Sequence, residues 1–499
     1  MLAVQGSAGG YDTFDVAIVG AGISGINTAY RIQSGLPGTR YTIFEARDST
    51  GGTWDFFKYP GLRSDSDLFT FGFSWRPWLD TNPIATAPSI LSYLKASAVT
   101  EGIEKHVQLN TRVQSAKWST KTQVWTLTVA SGTVTRRVHA KFLVLGTGYY
   151  DYEKALEANI PNLDTFTGRV VHPQFWPSDL DCTDKSVVCV GSGATAVTLV
   201  PVLASQSASV TMLQRSPSYV VSLPNPRSAS LLLRWLPRRL SYTLNRLYFM
   251  IMPMVFYYFC RMFPKTSRNM IRDNAAKQLP ENYPVDPHFT PRYNPFDQRV
   301  CFAPDGDFYA AIHSGRAAVV TDSIETVVED GLILKSGGKV SADIIITATG
   351  LKLQLGGGIK LTVDGTPVKF GDKFTWHHAM LQDVPNAVLI MGYTMASWTL
   401  GADATAFLLC RLLKGMRKHG LSSIVPRMPD TETPKAHPLM DLTSTYVQAA
   451  TKDLPKTGEF GPWRRRANYF KDYLRVNYGD VSQGLEFWQG DGPVTGVRL

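Results

Sequence analysis

Cysteine is sparse in this chain of 499 residues. There are five, Cys182, Cys189, Cys260, Cys301 and Cys410, odd in number, scattered, and without a CxxC pair or a zinc spacing. That argues against a disulfide-stapled secreted fold and a thiolate metal centre, and it points to a reducing compartment. Charge is low as well: charged residues make up 18 % of the chain against 44 % hydrophobic ones, which excludes a disordered protein. A long apolar run is also missing. The greasiest stretch, Leu247 to Cys260, has 14 residues, fewer than the ~20 that cross a bilayer, and Pro253 is expected to interrupt it. Met1 to Thr13 has neither the basic nor the apolar region of a signal peptide, so the expected location is the cytosol.

What is present is size and a localised surplus of positive charge. A chain this long carries a large core and at least two domains. The net charge of +10 is concentrated between Arg227 and Arg272, where nine basic residues occur with no Asp or Glu. They interleave with Leu, Met and Phe instead of lining a polar groove, so nucleic acid is not the expected partner. The expectation for 227–272 is a buried helical insertion whose arginines face solvent. An interfacial patch on anionic lipid, or the mouth of a site for a greasy substrate, are the alternatives.

Two segments repeat one pattern about 170 residues apart: apolar strand, glycine turn, small-residue helix, second apolar strand with a polar end. They run from Asp15 to Glu45 and from Ser186 to Arg215, and both read as βαβ units. Between them, Val107 to Val144 alternates apolar and polar residues, as an antiparallel meander does. Lys141 to Leu145 and Asp343 to Thr347 each end in glycine-bearing turns, Gly146-Thr147-Gly148 and Ala348-Thr349-Gly350. Such turns let a chain leave a sheet beside a ligand and mark crossings between two nucleotide domains. The expected fold class is therefore α/β with two Rossmann-like dinucleotide-binding domains. The first spans 1–155 and resumes at 346–499; the second spans 156–345. Beyond about Gly420 the pattern weakens into what reads as irregular structure wrapped on the first domain.

In VAIVGAGISG, Gly20, Gly22, Ser24 and Gly25 form a turn that lets pyrophosphate approach backbone N–H groups at a helix N-terminus. Glu45 follows the last glycine by 20 residues at the end of the next strand. A carboxylate there accepts hydrogen bonds from a ribose and repels a 2′-phosphate, which fits FAD or NAD. In VVCVGSGATA the matching positions are Gly191, Gly193 and Ala196, with Ser192, Ala194, Thr195 and Val197 between and after them. The acid is replaced: Gln214 and Arg215 end the strand, and a guanidinium there suits the 2′-phosphate of NADPH. One FAD site and one NADPH site imply hydride transfer from nicotinamide to flavin. A disulfide reductase would need a cysteine pair to receive the electrons; with none, oxygen is the natural acceptor. His377 and His378 are adjacent, point to opposite faces if in a strand, and are not expected to hold a metal.

Phe166 to Trp176, FTGRVVHPQFW, matches FxGxxxHxxxW through Phe166, Gly168, His172 and Trp176. The chain thus resembles the Baeyer-Villiger monooxygenases, of the class B flavin monooxygenases; N-hydroxylating and sulfur-oxidising relatives usually carry Phe or Tyr at the position of Trp176. The resemblance extends through GGTWDFFKYPGLRSDSD, LQRSPSY, NPFDQR and ASWTLGAD to the shorter mycobacterial-type enzymes that activate ethionamide. It implies that Thr53, Trp54 and Asp65 lie against the flavin and that the Val113 backbone meets the adenine. Arg63 and Ser64 would lie where the nicotinamide nucleotide crosses over, with Gly191 to Val197, Arg215 and Ser216 holding the rest.

By the same resemblance Arg299 is the active-site arginine, a fixed positive charge that would stabilise an anionic flavin peroxide, with Asp65 tuning it. His172 would serve structure or gating. The implied reaction uses FAD, NADPH and O₂ to turn a small lipophilic ketone into an ester or lactone, with sulfide or thioamide oxidation as a second activity. The rival readings are an enzyme restricted to N- or S-oxygenation, and a flavin-binding redox sensor or membrane-surface protein without turnover.

Overall fold

The computed structural model describes residues 11–225, 235–298, 300–429, 434–440, 442–490 and 492–499, without the side chain of Arg238. Arg299, Arg227 and Arg234 lie outside the described residues.

Both repeats are strand–turn–helix–strand units. In the first, the strand Asp12–Val19 leads through the glycine turn to the helix Ile23–Gly35 and on to the parallel strand Tyr41–Phe44, in register from Val16 opposite Tyr41. Helix burial follows the 3.6 period: Ile26, Ala29 and Ile32 are fully buried, each isoleucine contributing about 2 kcal/mol. They pack into the core that also holds Leu408, Leu409 and Leu412 of the helix Trp398–His419.

The strands Arg112–Ser119, Val124–Ser131 and Val134–Leu145 form the antiparallel meander. Val134–Leu145 then runs parallel to Asp12–Val19 on one side and to Ala387–Leu389. Among the described residues this sheet has nine strands, drawn from 12–145 and 360–389. The second repeat builds a separate, all-parallel sheet of five strands in the order Ala317–Thr321, Ser209–Gln214, Ser186–Val190, Ile344–Thr347, Arg169–Val171. The chain thus leaves the first sheet after Leu145 and returns after Thr347, through the two glycine-bearing turns.

Three expectations need correction. Residues beyond Gly420 are not irregular. Ser423–Pro426 pairs antiparallel with Leu485–Gln489, which pairs with Gly492–Val494, and the helix Tyr469–Tyr478 packs on Trp398–His419. Short strands some 60 residues apart carry no local signature, because their pairing is set by the face they cover. Pro253 does not interrupt its segment: Arg238–Met262 is one continuous helix with the proline inside. Nor do its arginines all face solvent. Arg246 is only 8 % exposed, while Leu240, Leu244, Leu247, Val255 and Met262 point outward. Arg246 Nη1 donates to the carbonyls of Phe69 (2.5 Å) and Gly72 (3.0 Å), which holds the cation on the inner side while the apolar stripe faces away from the core.

Candidate active site

The first glycine turn is closed on three sides by backbone. Gly20 has φ +99°, and a Cβ there would meet the Gly146 carbonyl oxygen at 2.7 Å. A Cβ on Gly25 would sit 1.9 Å from the Gly20 oxygen, and one on Gly22 would be 3.3 Å from the Gly52 Cα. Only glycine fits this cradle, and the helix that opens from it presents its N-terminal N–H groups with no acidic residue in its first turn. Glu45 follows Phe44 and is 7 % exposed. Its carboxylate accepts from Ala21 N–H (2.8 Å) and Arg47 N–H (3.1 Å), fixing its place beside the turn.

One cavity of about 1660 Å³ runs from this turn. Gly20, Gly22, Ser24, Glu45, Thr53 and Trp54 line it, as do Arg63, Ser64, Asp65 and Val113. Thr53 Oγ1 is 2.9 Å from the Tyr152 hydroxyl, and Trp54 stands edge-on to Phe71 with ring centroids 5.5 Å apart. Ser64, almost fully buried, donates to the Ser66 carbonyl (2.7 Å) and accepts from Ser66 N–H (3.0 Å), which shapes the loop carrying Arg63 and Asp65. Gly25 lies behind the wall, where its role is the close approach to Gly20.

The second turn shares this cavity only through the start of its helix, Ala194, Thr195, Val197 and Thr198. Gly191 has φ +139° and a Cβ there would meet the Ala348 oxygen at 2.3 Å; Gly193 faces open space. Ala196 is fully buried. Ser192 Oγ donates to the Ser216 carbonyl (2.9 Å), tying the turn to the end of the next strand. Gln214 is buried, whereas Arg215 is exposed and donates to Thr445 Oγ1 at 3.2 Å. Arg215 and Ser216 therefore lie off the cavity wall.

Two contacts join the halves across the cavity. Arg63 forms an ion pair with Asp307, at the start of the helix Asp307–His313 in the second unit. Tyr59 lies against Thr195. Burial pushes its phenol up to about 12, and the neighbouring Asp65 carboxylate adds to the rise. Such a phenol stays neutral and can donate a proton to a hydrogen bond at any physiological pH.

The segment Phe166 to Trp176 has a structural reason for its glycine: a Cβ on Gly168 would lie 2.4 Å from the Asp343 oxygen. Arg169–Val171 forms the edge of the second sheet against Ile344–Ile346. His172 Nδ1 accepts from Gln174 N–H (3.1 Å), so the imidazole caps the turn that follows. Burial lowers its pKa, keeping it neutral, and Pro173 reaches the cavity wall. His377 and His378 sit in a turn with φ +49° and +55°, not in a strand. His378 Nε2 accepts from the Arg466 N–H (3.1 Å) on the cavity wall. Asp297 and Val300, on either side of Gln298-Arg299, line the cavity too.

Sequence reasoning placed Trp398 near the nucleotides only through the resemblance carried by ASWTLGAD, and it missed Tyr149, Asp403 and Asp307. Tyr149 stacks on Trp398 (4.9 Å, 17°), and Trp398 Nε1 donates to Ser24 Oγ at 2.8 Å, beside the first turn. Asp403 accepts from Asn27 (3.1 Å) and Arg31 (2.8 and 2.9 Å), locking the two long helices of the first domain together. The signal was present for both, since Trp398 and Asp403 belong to MASWTLGAD. Asp307, the partner of Arg63, sits in no motif and could be found only in space.

A sequence profile of the flavin-binding monooxygenase-like family matches residues 13–227. The FAD-containing monooxygenase EthA of Mycolicibacterium smegmatis is 45 % identical over 473 residues, covering 94 % of this chain and 96 % of that protein. Among solved structures, an oxidized steroid monooxygenase bound to NADP superposes with a TM-score of 0.72 at 20 % identity, over 96 % of this chain and 100 % of its own. The OTEMO complex with FAD and NADP (form 2) gives 0.72 at 19 % identity, over 96 % and 100 %. These structures share the α/β fold with its Rossmann-like parallel sheets, and the sequence likeness over nearly the whole length makes this chain an enzyme that belongs to the flavin-binding monooxygenase-like family.

Proposed function

We propose that this enzyme uses NADPH and O₂ to insert one oxygen atom into a lipophilic ketone beside its carbonyl, releasing an ester or lactone, water and NADP⁺. Sulfide or thioamide oxidation is its second reaction. The observation that carries this reading is the single cavity shared by the closed glycine cradle, the Asp65 loop and the start of the second unit's helix.

FAD supplies the redox chemistry that activates oxygen when it is bound. The cradle fits it: Gly20, Gly22 and Gly25 leave room only for backbone, Ser24 lies at the helix start, and Glu45 is placed to accept from a ribose. Thr53, Trp54 and Asp65 would flank the flavin ring, and the Val113 backbone the adenine. NADPH would lie on Gly191, Ser192, Gly193, Ala194, Thr195, Ala196 and Val197. Arg215 and Ser216 would bind its 2′-phosphate, and Arg63 and Ser64 the nicotinamide end. In this arrangement 1–155 and 346–499 serve the flavin, and 156–345 serve NADPH.

Arg299 is the residue we assign to the reacting end: a fixed guanidinium in a water-poor pocket lowers the energy of an anionic oxygen that attacks the ketone. Asp65 would hold it in place. Neutral His172 caps the turn that follows the edge strand of the second sheet, so its part is positional. We place the reaction in the cytosol; among the described residues no single helix is long and apolar enough to cross a membrane.

The test is an NADPH-coupled screen of linear, cyclic and aryl ketones and of sulfides, with products identified by mass. Arg299→Ala should still reduce its flavin with NADPH yet form no ester. An ester yield equal to that of the unmodified enzyme would overturn the assignment, and sulfoxide without any ester would restrict the activity to soft centres.

A further inference from the structure

The face of Arg238–Met262 that points to solvent is the greasy one. Leu240, Leu244, Leu247, Val255, Tyr258 and Met262 repeat at three- and four-residue steps, or multiples of them, along one side and are 38 to 70 % exposed. More than half of the exposed large apolar side chains among the described residues lie between Trp235 and Met270. A soluble helix normally buries this stripe, so its exposure over a helix about 37 Å long needs an occupant.

We propose that this helix docks, lying flat, on an anionic lipid surface. Three observations select that occupant. The first is charge. Between Trp235 and Arg272 there is no Asp or Glu, and exposed Arg239 and Lys265, near the two ends of the stripe, have no carboxylate partner among the described residues. Basic ends around an apolar face match the headgroup–acyl boundary of an acidic bilayer. A second copy laid on the same face would set like charges together.

The second is orientation. Arg246 holds the inner face to the carbonyls of Phe69 and Gly72, and Phe249 stacks on Phe69 at 4.9 Å. The following helix, Pro264–Ala276, turns away by 116°. The pair therefore cannot straighten into a span without tearing out a buried cation; it can only lie in the plane. Trp235, 89 % exposed just before the helix, is the side chain expected at a headgroup level.

The third is continuity with the site. The inner side of the same helix, through Met250, Met254 and Tyr257, forms a wall of the cavity that reaches the glycine cradle. Docking would bring that wall next to the acyl region, so a lipid-dissolved substrate could pass inward without crossing water. This last consequence rests on the proposed oxygenase reading; the docking itself does not.

The experiment is co-sedimentation of the full-length, flavin-loaded protein with vesicles of phosphatidylcholine alone and of phosphatidylcholine with one quarter phosphatidylglycerol. The expected result is binding to the mixed vesicles at least ten-fold tighter than to the neutral ones, weakening with salt. Arg239→Gln with Lys265→Gln should weaken it roughly twenty-five-fold, about five-fold per lost charge. Leu244→Glu with Val255→Glu should abolish it. These side chains are exposed, so flavin absorbance and thermal unfolding of both variants should match the parent and exclude misfolding. Absence of binding to the acidic vesicles, or equal binding by all variants, overturns the proposal. So does a concentration-dependent dimer that Leu244→Glu/Val255→Glu dissolves in the absence of any lipid binding, which would assign the face to a second copy. A protein that binds vesicles but makes no ester leaves the docking intact and counts against the oxygenase reading alone.

Discussion

The two glycine turns are built on one plan and differ in how tightly they are closed. At the first, a carbon added to Gly20 or Gly25 would lie 2.7 or 1.9 Å from a backbone oxygen, and the carboxylate of Glu45 is buried and doubly hydrogen-bonded. At the second, Gly193 faces open space, the third position tolerates alanine, and Arg215 lies exposed. On the proposed assignment the same motif would serve a resident group in one place and an exchanging one in the other. Closure restricts escape, whereas an open turn with an exposed cation recruits a charged nucleotide from solution and lets it go.

Substitution at matched positions tests that contrast most severely. Gly25→Ala places a carbon against the Gly20 oxygen, and an overpacking cost of about 3 kcal/mol should weaken flavin retention roughly a hundred-fold, measured as flavin per protein after gel filtration. Gly193→Ala should leave flavin content within about two-fold, since no protein atom lies within 4 Å of its Cβ, and should raise the KM for NADPH alone, because the added carbon would face the nucleotide that this turn is proposed to hold. Equal losses at both positions would erase the distinction.

Glu45→Ala removes the acceptor for two backbone N–H groups and for a ribose. About 2 kcal/mol, or roughly thirty-fold in flavin affinity by titration of the apoprotein, is the expected loss. Arg215→Ala should raise the KM for NADPH roughly ten-fold while leaving that for NADH unchanged, the mark of a lost charge-assisted bond. If both coenzymes suffered alike, Arg215 would be a surface residue and no more.

Protons should act mainly on the closed half. Burial, with the Arg475, Arg466 and Arg411 cations nearby, lowers His377 to about 3, and burial with Arg466 and Arg465 carries His378 well below its usual value. Both are neutral in the folded state and charge readily when unfolded. Their stability is therefore complete above about pH 6.5 and declines as pH falls toward 3, by up to about 1 kcal/mol per unit for each. Melting curves from pH 7.5 to 5 should show a steeper decline for the parent than for His377→Gln/His378→Gln. Identical slopes would place the acid sensitivity elsewhere.

The turns themselves were legible in the sequence because strand, glycine turn and helix are contiguous, and Glu45 and Arg215 fall at a spacing fixed by one βαβ unit. The meander was legible for the same reason: Trp118, Trp125 and Val138 alternate with polar neighbours over strands joined by short turns. What stayed hidden depends on distant partners. Ser423–Pro426 and Leu485–Gln489 acquire their meaning only from each other, and Asp307 only from Arg63. The direction of Arg238–Met262 was only partly legible because its apolar period indicates a face without saying which way that face looks: Arg239 and Arg261 are exposed as expected, whereas Arg246 is buried. The buried Arg246 decides it, through two carbonyls nearly two hundred residues earlier in the chain.

The Asn27–Arg31–Asp403 network has a consequence for how the molecule comes into being. The first domain is stitched from both ends of the polypeptide: Ala387–Leu389 completes its sheet and Asp403 pins its opening helix. During translation the nine-stranded sheet and its opening helix therefore lack their last partners until more than four hundred residues have left the ribosome, while the strands from Arg169 to Thr347 already have every neighbour they need. The middle of the chain can therefore close its sheet before the beginning closes its own.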